Sequence, residues 1–118
     1  MAAPQGMRQV NPGGDPALWI FHGSDGNDGI CGLAVSRDGA APESATLLAS
    51  RDAYTQRVMA EMFAAGALYE PSTSLIALGC LRPGDIALDV GAHIGYFAIL
   101  FRLGVGAGGT VFAFEPMP

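Results

Sequence analysis

The spacing of apolar and polar residues changes character along this chain of 118 residues. Up to about residue 42, Gly, Pro, Asn and Asp recur often, and two short apolar runs interrupt them, Leu18–Phe21 and Ile30–Val35. Short apolar runs bounded by turn-forming residues are typical of strands. We therefore predict a loop-rich arm over residues 1–49, with short strands paired as a loose hairpin.

Residues 50–84 predict two helices. In the first, apolar side chains recur at helical spacing, with charged residues between them. The apolar residues are Tyr54, Val58, Met59, Met62 and Phe63. Ser50 is expected to cap this helix and Gly66 to end it. A second helix is expected from Pro71 to Cys80, because proline suits a first helical turn. We interpret residues 50–84 as a helical lead-in.

Residues 85–118 predict the first strand–helix–strand unit of an α/β sheet. The order is a turn at Arg82–Asp85, a buried strand at Ile86–Val90, a helix at Tyr96–Leu103 and a second buried strand at Val111–Phe114. Gly104–Gly109 is expected to break the helix. Such a crossover joins parallel strands and is right-handed. The predicted fold class is α/β, a partial Rossmann-like doubly wound sheet preceded by the arm and the two helices.

Composition and charge exclude several classes of protein. Half of the residues are hydrophobic, as in globular proteins. Six basic residues stand against eleven acidic ones, a net charge of −5, so we expect neither nucleic acid nor a membrane surface as a partner. The two cysteines, Cys31 and Cys80, are expected to be small buried side chains in a reducing compartment, and we predict a cytoplasmic protein without a metal site.

Two acidic residues stand where the predicted strands end. In an open α/β sheet, ligands lie beyond the carboxyl ends of the strands, so Asp89 and Glu115 are expected to face one crevice. Gly91 removes a side chain where the backbone approaches a ligand, and Gly95 is expected to let the next helix pack closely on its strand. The sequence therefore predicts a small-molecule site at this edge.

The turn between strand and helix does not fit a dinucleotide. The dinucleotide fingerprint G-x-G-x-x-G needs glycine at the positions of His93 and Tyr96. Histidine adopts left-handed backbone conformations more readily than most side chains, so the turn itself is retained. S-adenosylmethionine fits better, because it offers cationic groups to acidic side chains and a ribose diol to a carboxylate such as Glu115.

Two linked motifs, Leu81–Phe97 and Val111–Pro116, resemble the FkbM-type methyltransferases of class I. The resemblance covers residues 69–118 and implies S-adenosylmethionine as cofactor. It implies binding by Asp89, Gly91, Ala92, His93, Gly95 and Glu115, with Tyr69 and Glu70 closing over the cofactor. His93 stands where the family more often has asparagine. The implied reaction is O-methylation of a hydroxyl on a small metabolite or sugar-containing acceptor.

Three functions remain open from the sequence. The chain is expected to be a methyltransferase fragment, inactive alone, with no identifiable catalytic residue. Alternatively, it is a non-catalytic binding or oligomerisation module, or a fragment of a dinucleotide oxidoreductase. We expect the strand Val111–Phe114 to have no outer neighbour in the sheet. Self-association through that open sheet edge, and aggregation of the isolated chain, are therefore expected.

Overall fold

The structure is a computed structural model that describes residues 6–25, 28–50 and 53–116. The chain forms two compact units, Met1–Pro71 and Ser72–Pro118. The first unit contains an antiparallel sheet and a helix, and the second contains parallel strands and helices. The architecture is thus α/β, as expected. Its extension into a doubly wound sheet and the predicted division at residues 49 and 84 stay predictions.

The first unit has more regular structure than the sequence indicates. Its four strands pair in chain order, and they are β1 (Arg8–Gln9), β2 (Ala17–Asp25), β3 (Asp28–Ser36) and β4 (Glu43–Ala49). All the pairings are antiparallel, with Leu33 opposite Ile20 on one side and Ala45 on the other. The predicted pairing of Leu18–Phe21 with Ile30–Val35 is confirmed, whereas the expected loop-rich character of the arm is wrong, because longer strands form a sheet there. Because its strands include glycines and polar residues, their length is not visible as apolar runs.

Helix α1 (Tyr54–Ala64) packs against β2, β3 and β4 through Met59 and Phe63, which are buried. The predicted cap at Ser50 is wrong, since the N-cap is Ala53 and makes no side-chain capping bond. Instead, the Ser50 N–H donates to Gln56 Oε1 at 2.8 Å. Tyr54, expected in the apolar stripe, is 73% exposed.

The predicted end of α1 at Gly66 is confirmed. Gly66 has a φ of 79°, in the left-handed region that favours glycine. Its N–H donates to the Phe63 carbonyl at 3.0 Å, and the Ala67 N–H donates to the Met62 carbonyl at 2.8 Å. These two bonds satisfy carbonyls that the helix end leaves unpaired.

The second unit contains the predicted strand–helix–strand arrangement. Its elements are α2 (Pro71–Cys80), β5 (Ile86–Val90), α3 (Tyr96–Val105) and β6 (Thr110–Phe114). Strands β5 and β6 are parallel, with Leu88 opposite Phe112, and α3 contacts both. The bounds of α2 and β5 and the parallel pairing are therefore confirmed.

The expected break at Gly104 is wrong, because this residue lies inside α3 and the helix ends at Val105. A Cβ at Gly104 would lie 2.6 Å from Leu81 Cδ1, so a larger residue would not fit beside the segment that follows α2. Gly104 serves close packing, and the C-cap that follows the last helical residue is Gly106, whose φ is 71°.

The two parallel strands are buried on one face only, which corrects the prediction of fully buried strands. Ala87 and Asp89 are buried on the side against which α3 packs. The opposite side of the strands consists of hydrophobic side chains that are 50–81% exposed. These residues are Ile86, Leu88, Val90, Phe112 and Phe114. We call this set the apolar sheet face.

The two cysteines differ in their surroundings. Cys31 lies in β3 and is buried, and this burial raises the pKa of its thiol to about 11. Cys80 is exposed at the end of α2, so the expectation that both cysteines are buried is wrong for this residue.

Candidate cofactor site

The turn Gly91–Gly95 lies at the carboxyl ends of β5 and β6. The N–H groups of Gly91 and Ala92 both donate to the Phe114 carbonyl, at 2.8 and 3.0 Å. Two donors on one carbonyl fix the start of the turn against the last residue of β6. The structure thus brings the predicted turn to the strand end that precedes Glu115.

Glu115 contacts the turn directly. The His93 N–H donates to Glu115 Oε1 at 2.8 Å, a hydrogen bond to a charged acceptor. A carboxylate has about four lone-pair positions, so this bond leaves acceptor capacity on the same group. Glu115 and His93 are both exposed. The bond therefore orients a carboxylate at the surface of the turn, where a ligand hydroxyl can reach it.

Every second residue of the turn adopts a left-handed backbone conformation. Gly91, His93 and Gly95 have φ values of 79°, 52° and 91°. The expectation that histidine can take such a conformation is confirmed at His93. A Cβ at Gly91 would meet no atom within 4 Å, so the space beside this backbone is open, as a ligand approach requires.

Gly95 has a different role from the one expected. A Cβ there would also meet no atom within 4 Å, so the glycine does not serve close packing of α3 on β5. It is the N-cap of α3 with φ 91° and ψ 10°, a conformation that side chains with a Cβ rarely adopt. The requirement at Gly95 is therefore one of backbone conformation.

Gly95→Ala is expected to lower the free energy of unfolding by about 1 kcal/mol, the cost of a left-handed residue with a Cβ. Gly79→Ala is the matched control, because a Cβ there also meets open space but Gly79 lies in helix α2. Alanine is expected to stabilise that position by about 0.5 kcal/mol. Urea denaturation of both variants measures the difference. Equal stability of Gly95→Ala and the wild type would contradict this explanation.

Asp89 carries a buried carboxylate without a full set of partners. The residue is 8% exposed, and its Oδ2 is a buried side-chain atom with no hydrogen-bond partner among the residues that the structure describes. Burial raises the pKa of this carboxyl above its usual range. Because an unsatisfied buried polar group destabilises a fold, such a group near the carboxyl end of β5, two residues before the turn, calls for a functional explanation.

Tyr69 and Glu70 belong to the first unit, at the end that precedes α2. Tyr69 is half-buried, and Glu70 is exposed with a left-handed φ of 47°. Their contact with a cofactor stays a prediction.

A buried hydrogen bond beside the turn was not foreseen from the sequence. Tyr96, the first residue of α3, bonds through its hydroxyl to Ser74 Oγ of α2 at 2.8 Å, and both side chains are buried. The two residues are 22 positions apart in the chain, and no motif links them. The contact between Ser74 and Tyr96 is visible only in the folded structure, where α2 packs beside the turn.

A surface cleft of about 560 Å³ lies in the first unit, between the β2–β3 hairpin and α1. None of the predicted site residues lines it. Its lining residues are His22, Gly23, Gly29, Arg57, Ala60, Glu61 and Ala64. His22 is exposed.

In the described ranges 6–25, 28–50 and 53–116, no group of three or more His, Cys, Asp or Glu side chains could hold a metal ion. The segment 23–29 is rich in glycines and acids, and it includes Gly26 and Asn27, which lie outside these ranges. Within the same part of the chain, every helix is too short or too polar to cross a lipid bilayer.

Comparison with known proteins adds one observation. A stretch of 38 residues, 32% of this chain, is 55% identical to the 31-O-demethyl-FK506 methyltransferase FkbM of Streptomyces tacrolimicus. The chain contains a methyltransferase-like region. The matched stretch spans 14% of that relative's length. No family model matches the chain, and no solved structure matches it.

Proposed function

We propose that the second unit is the S-adenosylmethionine-binding part of a methyltransferase. The observation that carries the proposal is the unpartnered Asp89 Oδ2. A buried carboxylate oxygen that has no partner among the described residues can gain one from a cationic ligand, which offsets the cost of burying it. The short match to a methyltransferase supports the same conclusion.

The residues of the second unit fit the groups that this cofactor presents. Asp89 and the open backbone at Gly91 would hold the methionine part, with the Asp89 carboxylate accepting hydrogen bonds from its ammonium group. Glu115, oriented by the His93 N–H, would accept hydrogen bonds from the ribose hydroxyls. Ala92 and Gly95 contribute backbone that shapes the turn. When bound, the cofactor supplies an activated methyl group.

For the reaction, we propose transfer of that methyl group to a hydroxyl of a small-molecule acceptor. The relative is named as a methyltransferase of 31-O-demethyl-FK506, and an acceptor oxygen of that kind supports O-methylation here. Direct displacement depends mainly on holding the acceptor oxygen in line with the methyl group. We assign cofactor binding to the residues of the turn and assign no catalytic base.

Ligand-observed NMR with the purified chain tests the proposal against the dinucleotide alternative. S-adenosylhomocysteine should give a saturable signal, whereas NAD should give none, because His93 and Tyr96 replace the glycines that a pyrophosphate requires. Saturable binding of NAD without binding of S-adenosylhomocysteine would overturn the proposal.

A second candidate function is self-association, which the apolar sheet face favours. Patches of this kind on soluble proteins often mark interaction surfaces. On this proposal, Leu88→Lys, which places a charge opposite Phe112, should reduce self-association. Thr73→Lys, at an exposed position of α2, is the matched control and should leave it unchanged. Sedimentation velocity measures both. A wild-type chain that stays monomeric as its concentration rises would contradict this proposal.

A further inference from the structure

The conformation of the turn needs support from its surroundings. Three of the five residues from Gly91 to Gly95 have left-handed φ values, and one of them is His93, which carries a Cβ. Such conformations persist when neighbouring structure holds them in place. The contacts at each end of the turn therefore determine whether its backbone keeps the geometry that a ligand would meet.

The start and the middle of the turn are held by β6 and the residue after it. Phe114 accepts hydrogen bonds from Gly91 and Ala92, and Glu115 accepts one from His93. At the other end, the chain enters α3 directly after Gly95, whose N–H donates to the Ala92 carbonyl at 2.9 Å. The next residue is Tyr96, and its side chain reaches away from the turn to α2.

Ser74 and Tyr96 form a buried polar contact at this end. Ser74 is 0% exposed and Tyr96 is 2% exposed, and their hydroxyl oxygens are 2.8 Å apart. A tyrosine side chain has few rotatable bonds, so a bond at its hydroxyl fixes the position of its backbone. The Tyr96 ring also packs edge-on against Phe97, with centroids 4.9 Å apart.

We propose that Ser74 and Tyr96 are positioning residues for the cofactor turn. Their hydrogen bond fixes the Gly95–Tyr96 end of the turn to α2, as Phe114 and Glu115 fix its other end. Neither residue contacts the cofactor in this proposal. The effect of this hydrogen bond on cofactor affinity rests on the proposed function. Its effect on the backbone conformation of the turn does not.

Hydrogen exchange of backbone amides tests the positioning role without any ligand. Tyr96→Phe and Ser74→Ala each remove one hydroxyl and keep nearly the same volume. Both variants should increase the exchange rates of the Ala92, His93 and Gly95 amides relative to other amides of the second unit. Ser36→Ala is the matched control, because the Ser36 hydroxyl accepts a buried bond from Trp19 in the first unit. This control should leave exchange in the turn unchanged.

Calorimetric titration with S-adenosylhomocysteine tests the second consequence. Each variant should bind about tenfold more weakly than the wild type, and the double variant about as weakly as either single one, as expected for one shared contact. A lowered melting temperature with unchanged turn exchange would overturn the proposal and leave the pair a structural contact. If the wild type fails to bind while the variants show faster turn exchange, the proposed function fails and the positioning role stands.

Discussion

Asp89→Ala is expected to weaken binding of S-adenosylhomocysteine strongly and, at the same time, to make the ligand-free chain more stable. The affinity should fall about 100-fold, since hydrogen bonds to charged groups are among the strongest single contacts. The free energy of unfolding should rise by about 1 kcal/mol at neutral pH, because the variant removes a buried oxygen that lacks a partner in the described structure. Calorimetry and urea denaturation measure the two effects.

The gain in stability should depend on pH. Burial raises the folded-state pKa of Asp89 above its ordinary value of 3.8, so the folded chain holds this proton more tightly than the unfolded chain does. The wild type therefore loses stability as the pH rises from that value through the folded-state pKa. The stability difference between variant and wild type should be widest at neutral pH and should shrink as the pH falls towards 3.8.

Two controls separate the role of Asp89 from general charge effects. Asp89→Asn keeps the shape of the side chain without its charge and should also lose binding. Glu61→Gln removes one negative charge from the exposed surface of α1 and should bind as the wild type does. A variant at Asp89 that binds normally, or that is less stable than the wild type at neutral pH, would contradict the role assigned to this residue.

Glu115→Ala is expected to weaken binding of S-adenosylhomocysteine about 30-fold, because it removes the charged acceptor proposed for the ribose hydroxyls. Stability should fall by only about 0.5 kcal/mol. The lost bond from the His93 N–H lies at an exposed site, where water can replace the carboxylate. Calorimetry and urea denaturation again measure the two effects.

Glu115→Gln is the matched variant for this position. Its amide oxygen can still accept the His93 N–H, so the turn should keep its conformation while the charge is lost. Its affinity should lie between those of the wild type and Glu115→Ala. If Gln and Ala reduce affinity equally while the amide exchange of the turn is unchanged, the contribution of Glu115 is its charge alone. Unchanged affinity in both variants would contradict ribose binding.

The second unit was well predicted because its apolar runs are short, continuous and separated by glycines. Ile86–Val90 and the run beginning at Tyr96 left little choice of element, and the structure places both there. The length of the strands in the first unit was not predictable, because β2 and β3 contain Gly23, Gly29 and Gly32, and glycine is typical of turns. At Gly32, a Cβ would clash with the Phe21 ring, so this glycine serves cross-strand packing.

The turn residues were also predictable from sequence, since glycines and acids at strand ends have mechanical reasons to be there. Two features were not. The role of the Phe114 carbonyl is a backbone contact that no side-chain pattern marks. The Ser74–Tyr96 pair depends on how α2 packs, which is set by tertiary structure and not by spacing in the chain.

The central claim is that the turn Gly91–Gly95 and its two neighbouring carboxylates bind S-adenosylmethionine. Titration of the isotope-labelled chain with S-adenosylhomocysteine, followed by amide chemical shifts, tests it residue by residue. We predict saturable shifts at Gly91, Ala92, His93 and Glu115 that are absent in Asp89→Ala. The absence of shifts in a folded wild-type chain, or shifts confined to the first unit, would contradict the claim.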